Sequence, residues 1–105
     1  MIPLCLSCVA TLYGKGVYFA TNFWYSAQDV YSPPDRDNKK HVFQCRVLTG
    51  HFHRGKPELV EPPIRDKKTM CLYDSVTNEV KAPVIFVVFH DTQVYPEYLI
   101  TFHCQ

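Results

Sequence analysis

Apolar and polar positions alternate in short blocks along this chain, which predicts strands rather than long helices. Eight prolines and four glycines break the 105 residues into pieces, and both residue types interrupt regular structure. The continuous apolar run at 84–89 is typical of a strand buried on both faces. Further strands are predicted at 17–21, 41–52 and 93–102. Gly50 indicates a bend in the second of these, and Pro96 indicates an edge or a bulge in the third.

One short helix and one long loop complete the pattern. Residues 24–31 predict two helical turns that end at Ser32-Pro33-Pro34, because proline disfavours helical geometry in the residue before it. Residues 54–80 are polar and contain three prolines, which predicts an ordered loop of the kind that often carries function. The length fits one small domain. The predicted fold class is therefore a strand-rich α+β domain.

Composition and charge exclude several classes of protein. A hydrophobic content of 47%, with seven Phe and seven Tyr, supports a packed core and argues against disorder. Eleven basic and ten acidic residues leave a net charge of +1. There is no direct signal for nucleic acid, because no basic run is interleaved with aromatic residues. Lys39-Lys40-His41 and Arg65-Asp66-Lys67-Lys68 are interpreted as solvated loop charge.

Five cysteines form an odd set that no secretory signal precedes, which predicts an intracellular protein with reduced thiols. The apolar start is too short to span a bilayer, so no membrane association is expected. Cys45 and Cys104 lie in strand-like runs and are predicted to fill the core. Cys5-x-x-Cys8 has no second pair at zinc-finger spacing. No metal site is predicted.

The segment 13–29, followed by Tyr31, suggests a pocket. Gly14 and Gly16 flank a lysine and permit close backbone approach. Tyr18, Ser26 and Tyr31 then offer two ring faces and one hydroxyl, which suit a flat ring that bears an amide. Taken alone, Tyr18 is better interpreted as a core aromatic residue, but the Gly-Lys-Gly before it and Ser26 after it favour a pocket. For Tyr31, a helix-end ring packed on the sheet is the competing interpretation.

Five segments in order then carry a family resemblance: YGKGVYFA at 13–20, YSA at 25–27, RVLTG at 46–50, LYDSV at 72–76, and FVVF with QVYPEYLI at 86–89 and 93–100. Together they resemble the catalytic domain of the poly(ADP-ribose) polymerase (PARP) family, the diphtheria-toxin-like ADP-ribosyltransferases. The nearest likeness is to members that transfer single ADP-ribose units. The resemblance makes 13–105 the C-terminal part of such a catalytic domain and 1–12 an atypical N-terminal segment.

The resemblance implies antiparallel and mixed sheets with one short helix after the Gly-Lys-Gly strand. It implies NAD+ as a substrate, acceptor proteins as partners, and a location in the nucleus or cytoplasm. The implied NAD+-binding residues are Gly16, Tyr18, Ala20, Ser26 and Tyr31. Tyr18 matches the tyrosine of the family's His-Tyr-Glu signature, and Ala20 leaves space for the nicotinamide ring. Ser26 would bind the carboxamide, and Tyr31 would stack on the ring.

Two departures from the family pattern change the expectations. Ile85 stands where polymer-forming members have the catalytic glutamate, which implies transfer of one ADP-ribose. No His-Gly pair precedes Tyr13, although the family begins its fold with a strand that carries one. An incomplete fold whose sheet lacks its first strand is therefore expected. The alternative function is a non-catalytic fragment or interaction module that retains part of the fold.

Overall fold

The computed structural model describes residues 2–7, 13–28 and 33–103 of the chain. Within them are nine strands, one four-residue α-helix and one short 3-10 helix at Asp91–Gln93. The strands are β1 Ile2–Ser7, β2 Val17–Ala20, β3 Lys39–Val47, β4 Phe52–Arg54, β5 Ile64–Asp66, β6 Cys71–Leu72, β7 Ser75–Thr77, β8 Ile85–Val88 and β9 Val94–His103, and the helix is α1 Phe23–Ser26.

Seven of these strands form one sheet in the order β4-β7-β8-β2-β1-β3-β9, and β5 pairs only with β6. The β4–β7 pair is parallel, whereas the other pairs of the large sheet are antiparallel. The predicted strand-rich fold with a mixed sheet and one short helix after β2 is confirmed. No helix in the described ranges is long and apolar enough to cross a membrane.

The expectation of an incomplete fold stands, but residues that precede β2 form a strand, β1, in the large sheet. It lies between β2 and β3 and pairs antiparallel with both, so that Cys5 is opposite Ala20 and Leu4 is opposite Cys45. Successive side chains of a strand point to opposite faces. Leu4 is therefore buried on one face of the sheet and Cys5 on the other, and both contribute to the core. The segment outside the family resemblance supplies a central strand.

The two faces of the sheet carry separate apolar clusters. The first face, called the open face, buries Leu4, Phe19, Cys45, Val47, Phe86 and Val88. The second, called the site face, buries two groups: Tyr18, Val76, Ile85 and Val87, and Cys5, Ala27 and Val42 beneath α1. Cys45 is 2% exposed, as predicted, whereas Cys104 lies outside the described residues.

Strand β8 confirms the predicted doubly buried strand, since all four of its residues are buried between β2 and β7. Strand β9 confirms the prediction at Pro96. It is an edge strand, and its register with β3 shifts where Gln44 faces Tyr98 but Cys45 faces Pro96. Glu97 is the extra residue, and its carboxylate accepts a 2.8 Å hydrogen bond from Arg46.

The predicted strand at 41–52 is divided by the bend at Gly50, where φ is +52°. A Cβ on Gly50 would lie 2.2 Å from Asp74 Oδ2, so a side chain is excluded by space as well as by conformation. The same carboxylate oxygen accepts a 2.8 Å bond from the His51 amide. The predicted loop at 54–80 is wrong in part, because it contains β5, β6 and β7. Strands of two or three residues are too short to show periodicity.

Candidate functional site

Three of the predicted site residues meet on the site face, where β2 and β8 run antiparallel. Ala20 is opposite Ile85 and Tyr18 is opposite Val87. Because side chains alternate along a strand, Tyr18 and Ala20 share a face with Ile85. Ala20 is fully buried, Tyr18 is 3% exposed and Ile85 is 7% exposed. The pairing brings together residues that are 65 positions apart.

The hydroxyl of Tyr18 forms hydrogen bonds with the backbone that precedes β2. It donates a 2.7 Å hydrogen bond to the Gly14 carbonyl and accepts a 3.0 Å bond from the Tyr13 amide. The ring packs against Val76 and Ile85. Burial raises the pKa of the Tyr18 phenol, so the group is neutral. Its two hydrogen bonds hold the segment that precedes β2. The phenol ring forms part of the floor of the site face.

Gly16 lies one residue before β2 at a point of close backbone approach. A Cβ at this position would come within 2.5 Å of the Val88 carbonyl oxygen, a backbone atom that cannot move aside. The Gly-Lys-Gly segment therefore brings the chain against the end of β8. Glycine at this position thus allows the close approach just before the strand that carries Tyr18 and Ala20.

Ser26 is carried onto the same face by helix α1. The Asn22 side chain caps the helix start by accepting a 2.8 Å bond from the Trp24 amide. Ser26 is 1% exposed, and its hydroxyl donates a 3.1 Å bond to the carbonyl of Cys5 on β1. A hydroxyl has one donor and two acceptor lone pairs. Because the donor is engaged, the capacity that remains on Ser26 is that of an acceptor.

Ile85 is held by polar groups on its backbone while its side chain stays apolar. Its carbonyl accepts a 2.7 Å bond from the Thr77 hydroxyl. Its amide donates a 3.1 Å bond to Asn78 Oδ1, which also accepts a 3.0 Å bond from the Val84 amide. The backbone of Ile85 is thus held by side chains of the neighbouring segment, while its own side chain supplies no polar group.

Tyr31 lies outside the described residues, so its predicted role stays a prediction. The Cys5 carbonyl, which accepts the hydrogen bond of Ser26, was not predicted as part of the site, because residues 1–12 lie outside the resemblance. Thr77 and Asn78 were not predicted either, since each lies inside the predicted loop. No sequence signal marked these residues, because their role depends on strand pairing.

His41 forms side-chain hydrogen bonds outside the candidate site. His41 Nε2 is 2.8 Å from Asp35 Oδ2, and its Nδ1 is 2.9 Å from the Thr101 hydroxyl. This hydrogen bond with His41 lowers the pKa of Asp35. None of the five histidines occurs in β1 or β2. Among the described residues, no three His, Cys, Asp or Glu side chains are grouped as a metal site.

The fold matches a solved domain of one class. The crystal structure of the PARP domain of Arabidopsis RADICAL-INDUCED CELL DEATH1 superposes on 98% of this chain and 67% of that chain, with a TM-score of 0.75 and 18% identity. At 98% coverage, the match has to include β1. The described architecture is therefore that of a PARP domain.

Sequence comparison identifies the family, although no protein-family model matches the chain. Human protein mono-ADP-ribosyltransferase PARP14 is 52% identical over 94 residues, which is 89% of this chain and 5% of that protein. The mouse enzyme named PARP10 is 47% identical over 87% of the chain and 10% of its own length. Mouse PARP12 is 46% identical over 88% of the chain and 12% of its length. The chain belongs to the poly(ADP-ribose) polymerase family, and it spans a small part of these mono-ADP-ribosyltransferases.

Proposed function

We propose that this chain acts in NAD+-dependent mono-ADP-ribosylation, transferring single ADP-ribose units to protein side chains with release of nicotinamide. The carrying observation is the grouping of Tyr18, Ala20 and Ile85 on one face, in a chain 46–52% identical to proteins named for this activity. The activity, the acceptor proteins and a nuclear or cytoplasmic location all belong to the proposal.

In the proposed site the nicotinamide ring lies over the small side chain of Ala20, between the rings of Tyr18 and Tyr31. Gly16 keeps the neighbouring backbone close to β8. Stacking of this kind contributes about 0.5–1.5 kcal/mol beyond area burial. The carboxamide amide donates to the lone pair of Ser26 that the Cys5 bond leaves available. The serine thereby orients the ring.

The reaction breaks the bond between nicotinamide and the ribose, and the electron pair of that bond leaves with the nicotinamide. The ribose passes through an oxocarbenium-like state that an acceptor side chain on a protein then attacks. The work of the chain is orientation and electrostatic support. The side chain of Ile85 can accept no hydrogen bond from a ribose hydroxyl. Its presence at the glutamate position supports single-unit transfer and not elongation.

A second candidate is a non-catalytic module with the same fold. It is favoured by β1, which supplies a strand without a histidine or a glycine. It is also favoured by the hydroxyls of Tyr18 and Ser26, which already bond within the chain. Such a module would bind NAD+ or nicotinamide weakly and transfer nothing.

One pair of measurements on the purified chain separates these functions. The chain is incubated with NAD+ labelled in the adenine, with and without a protein acceptor mixture, and NAD+ binding is measured by calorimetry. One discrete labelled shift on a gel supports the proposal, whereas a ladder of polymer contradicts single-unit transfer. Saturable binding without label identifies the non-catalytic module. The absence of both binding and label overturns the NAD+ site.

A further inference from the structure

Lys40 is a lysine with 6% of its surface exposed. The prediction that Lys40 is solvated loop charge is wrong, because it is buried and lies in strand β3. Lys40 lies on β3 opposite Phe102 of β9, and long charged side chains are seldom buried unless they have partners. Its Nζ donates a hydrogen bond to the carbonyl of Ala27, the residue that follows helix α1. A buried ammonium therefore meets the end of the helix that carries Ser26.

Helix α1 depends on such contacts because it is short. Four residues are far too few to be stable as a helix in water. One main-chain bond closes its turn, from the Ala27 amide to the Phe23 carbonyl at 3.0 Å. The carbonyls at the end of a helix have no partner within the helix, and a lysine can supply one. The Lys40 ammonium fills that need at Ala27.

The start of α1 is held by an apolar contact, since the ring centroids of Phe23 and Phe102 are 5.4 Å apart. Its end is held by two polar bonds, from Ser26 to Cys5 and from Lys40 to Ala27. Lys40 thus holds the backbone next to Ser26 in addition to the bond that the Ser26 hydroxyl makes to Cys5.

We propose that Lys40 is a positioning residue for the nicotinamide side of the NAD+ site. It fixes the backbone at Ala27, and so it sets the orientation of the Ser26 hydroxyl. The ammonium acts through the Ala27 carbonyl and makes no contact with substrate. This inference rests on the proposed function, and it adds a residue to which the family resemblance gave no role.

The test compares Lys40→Met, which keeps an apolar stem and removes the donor, with Lys40→Arg, which keeps a donor. Lys39→Met is the matched control, because it removes the same charge from the neighbouring residue of β3. Binding of nicotinamide is measured for each variant alone and combined with Ser26→Ala. Amide hydrogen exchange across 23–28 and the denaturant midpoint are measured on the same samples.

We expect Lys40→Met to weaken nicotinamide binding about tenfold, consistent with loss of one well-placed hydrogen bond, while Lys40→Arg recovers most of it and Lys39→Met changes little. In the Ser26→Ala background the effect of Lys40→Met should largely disappear, since interacting sites are not additive. A full effect in that background, or unchanged binding in Lys40→Met, overturns the inference.

Hydrogen exchange keeps the test independent of the proposed function. Faster exchange confined to 23–28 in Lys40→Met, with a retained denaturant midpoint, supports the anchoring of α1 by Lys40. Unchanged exchange there overturns the inference even if the chain binds NAD+. The unsubstituted chain could bind neither NAD+ nor nicotinamide while exchange in α1 still depends on Lys40. That result would reject the proposed function, and with it the role of Lys40 in positioning the site.

Discussion

The two faces of the seven-stranded sheet use similar apolar strands for different purposes. On the site face, α1 and the segment before β2 cover the strands, and the hydroxyls of Tyr18 and Ser26 have partners within the chain. On the open face, apolar side chains of the outer strands remain half exposed, including Phe43 at 44% and Leu99 at 54%. The hydroxyls of the candidate site thus lie on the covered side of the sheet.

The difference shows that filling a place in a sheet and supplying its chemistry are separate requirements. Strand β1 meets the first requirement on both faces, since Leu4 packs with Phe19 and Cys5 packs with Val42. Toward the site it contributes a backbone carbonyl, at Cys5, rather than a histidine. Apolar alternation is enough to complete a sheet, whereas a catalytic residue has to be specified individually.

The largest effect is expected from breaking β1 on the open face. Leu4→Asp buries a carboxylate where Leu4 is 2% exposed, and we expect a loss of about 4 kcal/mol or more in the free energy of unfolding. Ile2→Asp, at a position that is 39% exposed, is the matched control and should cost far less. Urea denaturation measures both. Equal stability of the two variants would mean that β1 does not enter the sheet.

A smaller effect is expected from Tyr18→Phe on the site face. It removes the hydroxyl that bonds Gly14 and Tyr13, and the net loss should be about 1–2 kcal/mol for the two hydrogen bonds. Tyr95→Phe is the control, because Tyr95 is 63% exposed and its loss should be negligible. Thermal denaturation reports both variants. A Tyr18→Phe chain as stable as the control would show that the segment before β2 is held by something else.

The sequence predicted those elements whose pattern is local. The apolar run at 84–89 predicted β8, Pro96 predicted the shifted edge strand, and the segment after Gly-Lys-Gly predicted β2. It did not predict β1, because six residues outside the resemblance acquire meaning only through their pairing with β2 and β3. The helix predicted at 24–31 is found at Phe23–Ser26. The prediction is wrong at residues 27 and 28, which form a turn and a bend, and residues 29–31 lie outside the described part of the chain.

For the candidate site, the sequence named residues that share a face, while their roles stay predictions. Tyr18, Ala20 and Ile85 followed from motifs, and strand pairing brings them together. Lys40 was misjudged because a lysine beside another lysine and a histidine has the sequence pattern of solvent-exposed charge. Its burial depends on a helix end that comes from elsewhere in the chain. Contacts of this kind cannot be deduced from residue order.

Cysteine reactivity should distinguish the interior from the surface. Burial raises the pKa of the Cys5 and Cys45 thiols, so less of the reactive thiolate is present near neutral pH. Cys71 is exposed. We expect iodoacetamide at pH 8 to label Cys71 well before Cys5 or Cys45, as read by peptide mass spectrometry. Because the raised pKa favours the protonated thiol in the folded chain, stability should decline only as pH rises through and above the ordinary thiol range.

If Cys5 were alkylated as fast as Cys71, burial of that thiol between β2 and β3 would be refuted. Labelling in denaturant serves as the control, since all thiols should then react at comparable rates.

The smallest effect is expected on the open face at the edge strand. Leu99→Lys replaces a half-exposed apolar side chain, and its cost should stay within about 0.5 kcal/mol. It should reduce concentration-dependent association, because it interrupts the exposed apolar surface. Light scattering against the parent chain measures this. A large loss of stability would show that the open face is covered in solution.

The most direct test of the account is an NMR titration of the nitrogen-15-labelled chain with NAD+. We expect saturable shifts at the amides of Tyr18, Ala20, Ser26 and Ile85, while the amides of Phe43 and Leu99, whose side chains lie on the open face, stay unmoved. Shifts centred on the open face, or none at millimolar NAD+, would contradict the assignment of the NAD+ site to the face that carries Tyr18.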